Sequence, residues 1–163
     1  MDLSVICIGD ELLDGRIRDR NGPVLGKFLE ERGHRLVSQR TVPDESAAIG
    51  EAIEEAGADA PLVIVSGGLG PTKDDMTRRA AADWASVDLQ LDESVLDWLK
   101  DLFDDRGYNF TQNNRTQCLF PRGARILESE VGTAAGFVLE SRHPEVWFLP
   151  GVPREFAWFI RTH

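Results

Sequence analysis

The sequence predicts an α/β fold with a mostly parallel sheet and an antiparallel edge, on three observations. Short apolar runs alternate with amphipathic stretches from Leu3 to Ala85, the pattern of strands joined by helical crossovers. Three further strand candidates, 124–127, 136–139 and 146–149, lie too close together for helices to separate them all. No apolar run approaches the ~20 residues that would carry a helix across a membrane.

Taken in order, Leu3–Ile8 is a β-branched run ended by Gly9-Asp10 and suits a buried parallel strand. Asn21–Arg32 carries Val24, Leu25, Phe28 and Leu29 at helical spacing and is stopped by Gly33. His34–Val42 alternates as a second strand, although Leu36 and Gln39 break strict polarity, and Pro43-Asp44 closes it. Ser46 is a candidate N-cap for a helix over 47–56 with Ala48, Ile49, Ala52 and Ile53 inward. Leu62–Val65 is the third strand, and Asp74–Ala85, rich in alanine and arginine, reads as the next helix. This strand–helix alternation implies right-handed parallel crossovers. Glu93–Arg106 is a further helix with Val95, Leu96, Leu99, Leu102 and Phe103 on one side and Gly107 as its stop. Of the last three strand candidates, at least two are expected to pair antiparallel at one edge. Pro150-Gly151-Val152-Pro153 breaks the last of them, and a final helix begins at Arg154.

The 163 residues suit one domain, 1–163, able to bury roughly 70% of its unfolded surface. The final helix stops just after presenting Phe156, Trp158, Phe159 and Ile160, so a fragment of a longer protein is expected. Met1–Ile6 has no basic segment leading a cleavable apolar one, and Cys7 and Cys118 sit among apolar neighbours as expected free thiols. A cytoplasmic protein is the resulting expectation. The net charge of −10 argues against non-specific nucleic-acid binding, which rests on neutralising phosphates. An acidic protein that takes a phosphorylated ligand needs free backbone N–H groups, local basic residues or a cation.

Ligands of open parallel sheets bind beyond the C-terminal strand ends. Here those ends carry Gly9-Asp10-Glu11, Pro43-Asp44-Glu45, Ser66–Asp75 and Pro150–Pro153. Three are placed on one rim by the parallel strands, and the fourth is expected to join them. In "SGGLGPTKDD" the Thr72/Asp75 pair fits a capping box and Pro71 suits a helix start. Capping does not call for Gly67, Gly68 and Gly70 together. Glycines ahead of a helix fit a phosphate cradle, yet the spacing matches neither a P-loop nor a dinucleotide fingerprint. On these glycines alone, cradle and turn both stay open. Asp10, Glu11, Asp44, Asp74 and Asp75 would repel one another at this mouth without a cation, and such oxygen-rich sets suit Mg²⁺ or Mn²⁺. Taken singly, Glu11 and Asp74 read as solvated helix-start charges, whereas Asp44 and Asp75 lean towards function. "QNNRTQ" (112–117) offers Asn113, Asn114, Arg115 and Gln117 to a ribose, base edge or phosphate oxygen, or else is a turn capping the next helix. Gly132 and Thr133 lie in another small-residue loop, for which a bend before an edge strand is the simpler reading. His34 and His143 lack partners at metal spacing.

Together, "GDELLDGRIRDRN", "VPDE", "SGGLGPTKDDMT", "NNRTQ", "VGTAAGF" and "LPGVPREF" resemble the N-terminal domain of the CinA (competence/damage-inducible) family. That domain is similar to the molybdopterin adenylyltransferases MogA and MoaB of the molybdopterin-binding-like superfamily. The resemblance runs from Val5 to about Phe156 and implies a three-layer α/β/α sandwich of molybdopterin-binding-like fold. It implies metal-dependent hydrolysis of a nucleoside diphosphate sugar, ADP-ribose to AMP and ribose 5-phosphate. The implied cofactor is a divalent ion, Mg²⁺, Mn²⁺ or Co²⁺, with potassium assisting. On this reading Asp44 and Asp75 bind the metal or activate water, and Asp10 is a third catalytic contributor. Gly67, Gly68, Gly70 and Lys73 would receive phosphates, with Asn113, Asn114 and Arg115 on the nucleoside side. Thr72, Gly132, Thr133 and Gly151 complete the expected substrate contacts. Asp14, Arg18 and Arg20 depart mildly from the family pattern by adding charge after the first strand. The rival readings are adenylyl transfer from ATP to molybdopterin and a non-catalytic nucleotide-binding module. CinA chains often continue into a nicotinamide-mononucleotide deamidase domain, an activity not assigned to these residues. A homo-oligomer, dimer or trimer, is the expected assembly, with a small-molecule nucleotide as the other partner.

Overall fold

Strand β1 (Asp2–Ile8) has apolar residues on both faces because both faces are covered. The computed structural model, which describes residues 1–163, places β1 in a six-stranded sheet. The sheet order is β2 (Arg35–Val42), β1, β3 (Leu62–Ser66), β8 (Glu145–Leu149), β7 (Gly136–Leu139), β6 (Arg125–Leu127). The first four strands run parallel, β7 pairs antiparallel with β8, and β6 pairs antiparallel with β7. The expected antiparallel edge is therefore present. The end of β8 shares the rim with those of β1, β2 and β3.

Strand pleating sends alternate residues to opposite layers. Leu3, Val5 and Cys7 join Ile64, Val138 and Leu149 in one core, covered by α2 (Asn21–Glu30) and α7 (Pro153–Thr162). Ile6, Ile8, Val63, Val65, Phe137 and Phe148 enter the other core, under α3 (Ser46–Asp59), α4 (Thr77–Ala85) and α5 (Glu93–Asp105). The result is the expected three-layer sandwich. Cys7 and Cys118 are both free and buried. No helix is long and apolar enough to cross a membrane.

Several elements differ from the sequence expectation. Ser46 is the first residue of α3 rather than its N-cap, and its hydroxyl donates to Asp83 Oδ2 at 3.1 Å. Helix α4 begins at Thr77, not Asp74, because Asp75 spends its carboxylate inside the preceding loop. A two-stranded antiparallel ribbon, β4 (Leu89–Leu91) with β5 (Leu119–Pro121), and the single-turn helices α1 (Asp10–Leu13) and α6 (Gln112–Arg115) were not predicted. In α6, Asn114 Oδ1 accepts from the Thr111 N–H and hydroxyl at 2.9 and 2.8 Å, so the motif is itself a short helix closed by its own capping box and not a turn that caps the next one.

Candidate functional site

The rim holds a cleft of about 570 Å³, within the range of small-molecule sites. Its floor is the loop after β3. Gly67 is wedged: its N–H donates to Leu149 O at 3.0 Å, and a side chain would sit 2.7 Å from the Ile8 carbonyl. With φ of +112° and +66°, Gly67 and Gly68 use backbone conformations that other residues rarely adopt. Thr77 staples the loop to α4: its hydroxyl donates to Gly67 O at 2.8 Å and its N–H to Gly68 O at 3.3 Å. A side chain at Gly68 would collide with the Thr77 hydroxyl.

Asp75 shapes the outer half of the loop. Its Oδ1 accepts from Gly70 N–H at 2.7 Å; its Oδ2 accepts from the Thr72 N–H at 2.8 Å and hydroxyl at 2.6 Å. The Thr72/Asp75 pairing therefore folds the loop instead of capping a helix. Arg78 adds a fourth tie, Nη1 donating to Leu69 O at 2.9 Å. The Arg78 guanidinium lies over the Phe120 ring, and burial lowers its pKa to about 10, still cationic at neutral pH. After these bonds are made, the Gly68 and Leu69 N–H groups have no protein acceptor. The expectation that Gly67 to Gly70 all present amides is thus narrowed to two central donors.

Asp44, at the end of β2, faces this loop across the cleft mouth. Its Oδ2 accepts from the Asp10 N–H at 3.1 Å. Desolvation raises its pKa; the Asp10 hydrogen bond opposes this, and the charges of Glu11, Asp10 and Asp75 add to the rise. Between the ordinary value near 3.8 and this raised value, the folded chain binds a proton that the unfolded chain has lost. Stability therefore falls as pH rises through that window, and the cost is in full force above it. Asp44→Asn is expected to raise Tm at pH 7 in metal-free buffer, with the gain vanishing below about pH 3. Thermal melts at the two pH values check this, and an equal gain at both would overturn it.

Of the predicted site residues, Asp44, Gly67, Gly68, Gly70, Thr72, Asp75, Thr133 and Gly151 line the cleft. Asp10 is exposed and contributes its backbone N–H, not its carboxylate. Lys73 and Asn113 instead line a second cleft of about 410 Å³, which shares Gly70, Pro71, Thr72 and Asp75 with the first and adds Arg78 and Arg79. Asn114 is buried in its cap, Arg115 lines neither cleft, and Gly132 lies behind Glu155, whose carboxyl a side chain at 132 would strike. Burial raises the Glu155 pKa, against the charges of Arg106 and Arg154.

Sequence reasoning missed Asp19 and Asn21 in the cleft wall, where Ser66 and the expected candidate Gln117 also lie. Asp19, just outside the α2 N-cap Arg20, accepts from the Asn21 N–H at 2.8 Å and from Gln39 Nε2 at 2.7 Å. An aspartate two residues before a helical run was the available signal for it. Arg18 and Arg20, noted only as departures, are the basic side chains of the lining and have no carboxylate partner.

No three His, Cys, Asp or Glu side chains converge as a metal cage. Asp75 Oδ2 already accepts from two donors and Oδ1 from one, which leaves a metal only the remaining lone pair of Oδ1. Asp44 keeps one oxygen free of protein donors and has Glu11 beside it in the lining. That fits an ion of the magnesium class shared with a ligand phosphate, which needs only one or two carboxylates.

Comparison with known proteins agrees with this architecture. Residues 4–162 match the family model described as "Probable molybdopterin binding domain". A CinA-like protein of Akkermansia muciniphila is 43% identical over 155 residues, covering 94% of this chain and 37% of its own length. One from Citrifermentans bemidjiense is 41% identical with 95% and 37% coverage, so the chain spans little more than a third of these curated relatives. The crystal structure of CinA from Thermoplasma acidophilum superposes with a TM-score of 0.88 at 34% identity, over 99% of this chain and 94% of that one. MoaB from Thermus thermophilus, a molybdopterin biosynthesis enzyme, shares the fold at a TM-score of 0.61 and 15% identity, with 98% and 86% coverage. The chain belongs to the molybdopterin-binding domain family, as the CinA N-terminal domain within it.

Proposed function

We propose that the cleft binds a phosphorylated pterin of the molybdopterin type and serves phosphoryl chemistry on it. The observation that carries this is the pair of free N–H groups at Gly68 and Leu69, held at a strand-to-helix loop that faces the cleft. Backbone donors fixed in advance bind phosphate without side-chain ordering. The family description and the MoaB fold point to the same ligand class.

In adenylyl transfer, an oxygen of the bound phosphate forms a bond to the α-phosphorus of ATP, and pyrophosphate leaves with the electron pair. The chain positions the phosphate on the loop, while Arg18 and Arg20 lessen the repulsion set up by the acids around the cleft. A divalent ion, held by Asp44 with Glu11, would supply charge offset to the phosphates. Asp75 acts by holding Gly70 and Thr72, which keeps the loop open to the ligand.

Hydrolysis of ADP-ribose is the second reading, and one observation favours it. Arg18 and Arg20 together match the extra charge of a diphosphate. Here water adds to one phosphorus and the bridging oxygen leaves with the other phosphate, giving AMP and ribose 5-phosphate. The test incubates the chain with Mg²⁺ and either molybdopterin plus ATP or ADP-ribose, and resolves nucleotides by chromatography. Molybdopterin binding with pyrophosphate release supports the first reading, and AMP from ADP-ribose supports the second. Neither product, with no molybdopterin binding, overturns both.

A further inference from the structure

Two buried amides in the cleft wall have one hydrogen-bonding atom each that the protein leaves unused. Asn21 is 6% exposed and its Oδ1 has no partner; Gln117 is 2% exposed and its Nε2 has none. Buried polar atoms without partners are uncommon in native proteins, so each calls for an explanation. Both residues line the same cleft.

The orientation of each amide is fixed by its partners. Asn21 Nδ2 lies 2.8 Å from the Gly151 carbonyl, which can only accept, so this atom is the NH₂ and the unused one is the oxygen. The same NH₂ donates to Ser66 Oγ at 2.8 Å. For Gln117 the assignment runs through two links. Asn114 Oδ1 faces the Thr111 N–H, which can only donate, so Asn114 Nδ2 is a donor. That donor meets Gln117 Oε1 at 3.4 Å, leaving the Gln117 NH₂ free. The cleft wall therefore carries one acceptor and one donor of fixed polarity, both uncharged and each with less than 1 Å² of accessible surface.

We infer that Asn21 Oδ1 and Gln117 Nε2 read the heterocycle of the phosphorylated ligand: a ring N–H or amino group at Asn21, a ring nitrogen or carbonyl at Gln117. This rests on the phosphate-binding reading of the glycine loop and adds the part of the ligand that the loop does not touch. A hydroxyl rotates and serves either role, so it does not call for two sites of opposite, fixed polarity; a heterocyclic edge does. Apolar surface for the ring faces is present as well. Ile17 and Val152, each 55% exposed, are among the few large apolar side chains left on the surface, and both line this cleft.

The test measures calorimetric affinities of the 163-residue chain for three phosphates: AMP, 6-hydroxymethylpterin monophosphate and ribose 5-phosphate, the last having no heterocycle. The unsubstituted chain is expected to prefer at least one heterocyclic ligand over ribose 5-phosphate by about tenfold or more. Gln117→Met, which keeps the volume and removes the donor, and Gln117→Glu, which replaces it with an acceptor, are each expected to abolish that preference. Their ribose 5-phosphate affinity should stay within about twofold of the parent's. Thermal melts without ligand identify any variant that fails to fold, and the other then decides. A preference that survives in a folded variant overturns the inference, as does a parent that binds ribose 5-phosphate as tightly as the heterocyclic ligands. If the parent binds none of the three, the phosphate reading beneath it fails, and the inference falls with it.

Discussion

Phe148→Ala is expected to lower the midpoint of thermal unfolding by on the order of 10 °C. Phe148 is fully buried and stacks on Phe137 with ring centroids 4.5 Å apart and planes 10° from parallel. Phe137 in turn meets the edge of Phe120 at 5.7 Å. The three rings join β8, β7 and β5, so a cavity at Phe148 opens where the parallel and antiparallel parts of the sheet meet. A Phe→Ala change in such a place costs about 3–5 kcal/mol through lost transfer energy and residual void. For a chain of this length each kcal/mol moves Tm by about 2–4 °C. Circular dichroism melts check the value. A shift below about 3 °C would mean that the core collapses around the gap and that the aromatic stack is not the keystone of this layer. Because Leu149 O holds the Gly67 N–H one residue further on, weaker ligand binding should accompany the loss.

The parts of this molecule that were legible from sequence are those set by local pattern. Strands β1, β3 and β8 are apolar runs because each is buried on both faces, and the rim position of Asp44, Gly67 and Gly151 follows from parallel strand direction. Strands β4 and β5 have three residues each and pair across some thirty intervening residues, so nothing in "LQL" or "LFP" announces them. The start of α4 was misplaced because Thr72-x-x-Asp75 has the spacing of a capping box, while Asp75 accepts from Gly70 and Thr72 inside the loop. Spacing also says nothing about which side of a loop a residue takes, and Lys73 and Asn113 fall on the far side, in the second cleft. Asn21 was missed, and Gln117 was legible only as one polar candidate among several, for a different reason. Their unused atoms are defined only by what Gly151, Ser66 and Asn114 do with the other atom, and two of these partners are distant in sequence.

Asp75→Asn is expected to weaken phosphate-ligand binding by about 100-fold, whether or not a divalent ion is present. The two carboxylate oxygens serve three donors, and hydrogen bonds to a charged acceptor are each worth about 1.5–3 kcal/mol. An asparagine keeps one oxygen and sets an NH₂ against an N–H or O–H that has nothing to accept it. Either Gly70 or Thr72 is then released, and the loop loses the shape in which Gly68 and Leu69 present their N–H groups. The chemistry of a metal ligand or general base predicts otherwise, because such a residue governs rate more than metal-free affinity. Calorimetry with AMP or 6-hydroxymethylpterin monophosphate in chelator separates the two accounts. Hydrogen exchange at the Gly70 and Thr72 amides gives a second readout, faster in the variant if Asp75 holds the loop. Unchanged affinity and exchange, combined with a lost metal-dependent rate, would return Asp75 to the catalytic centre. Asp75→Ala, which loses both acceptors where Asp75→Asn keeps one, should weaken binding at least as much.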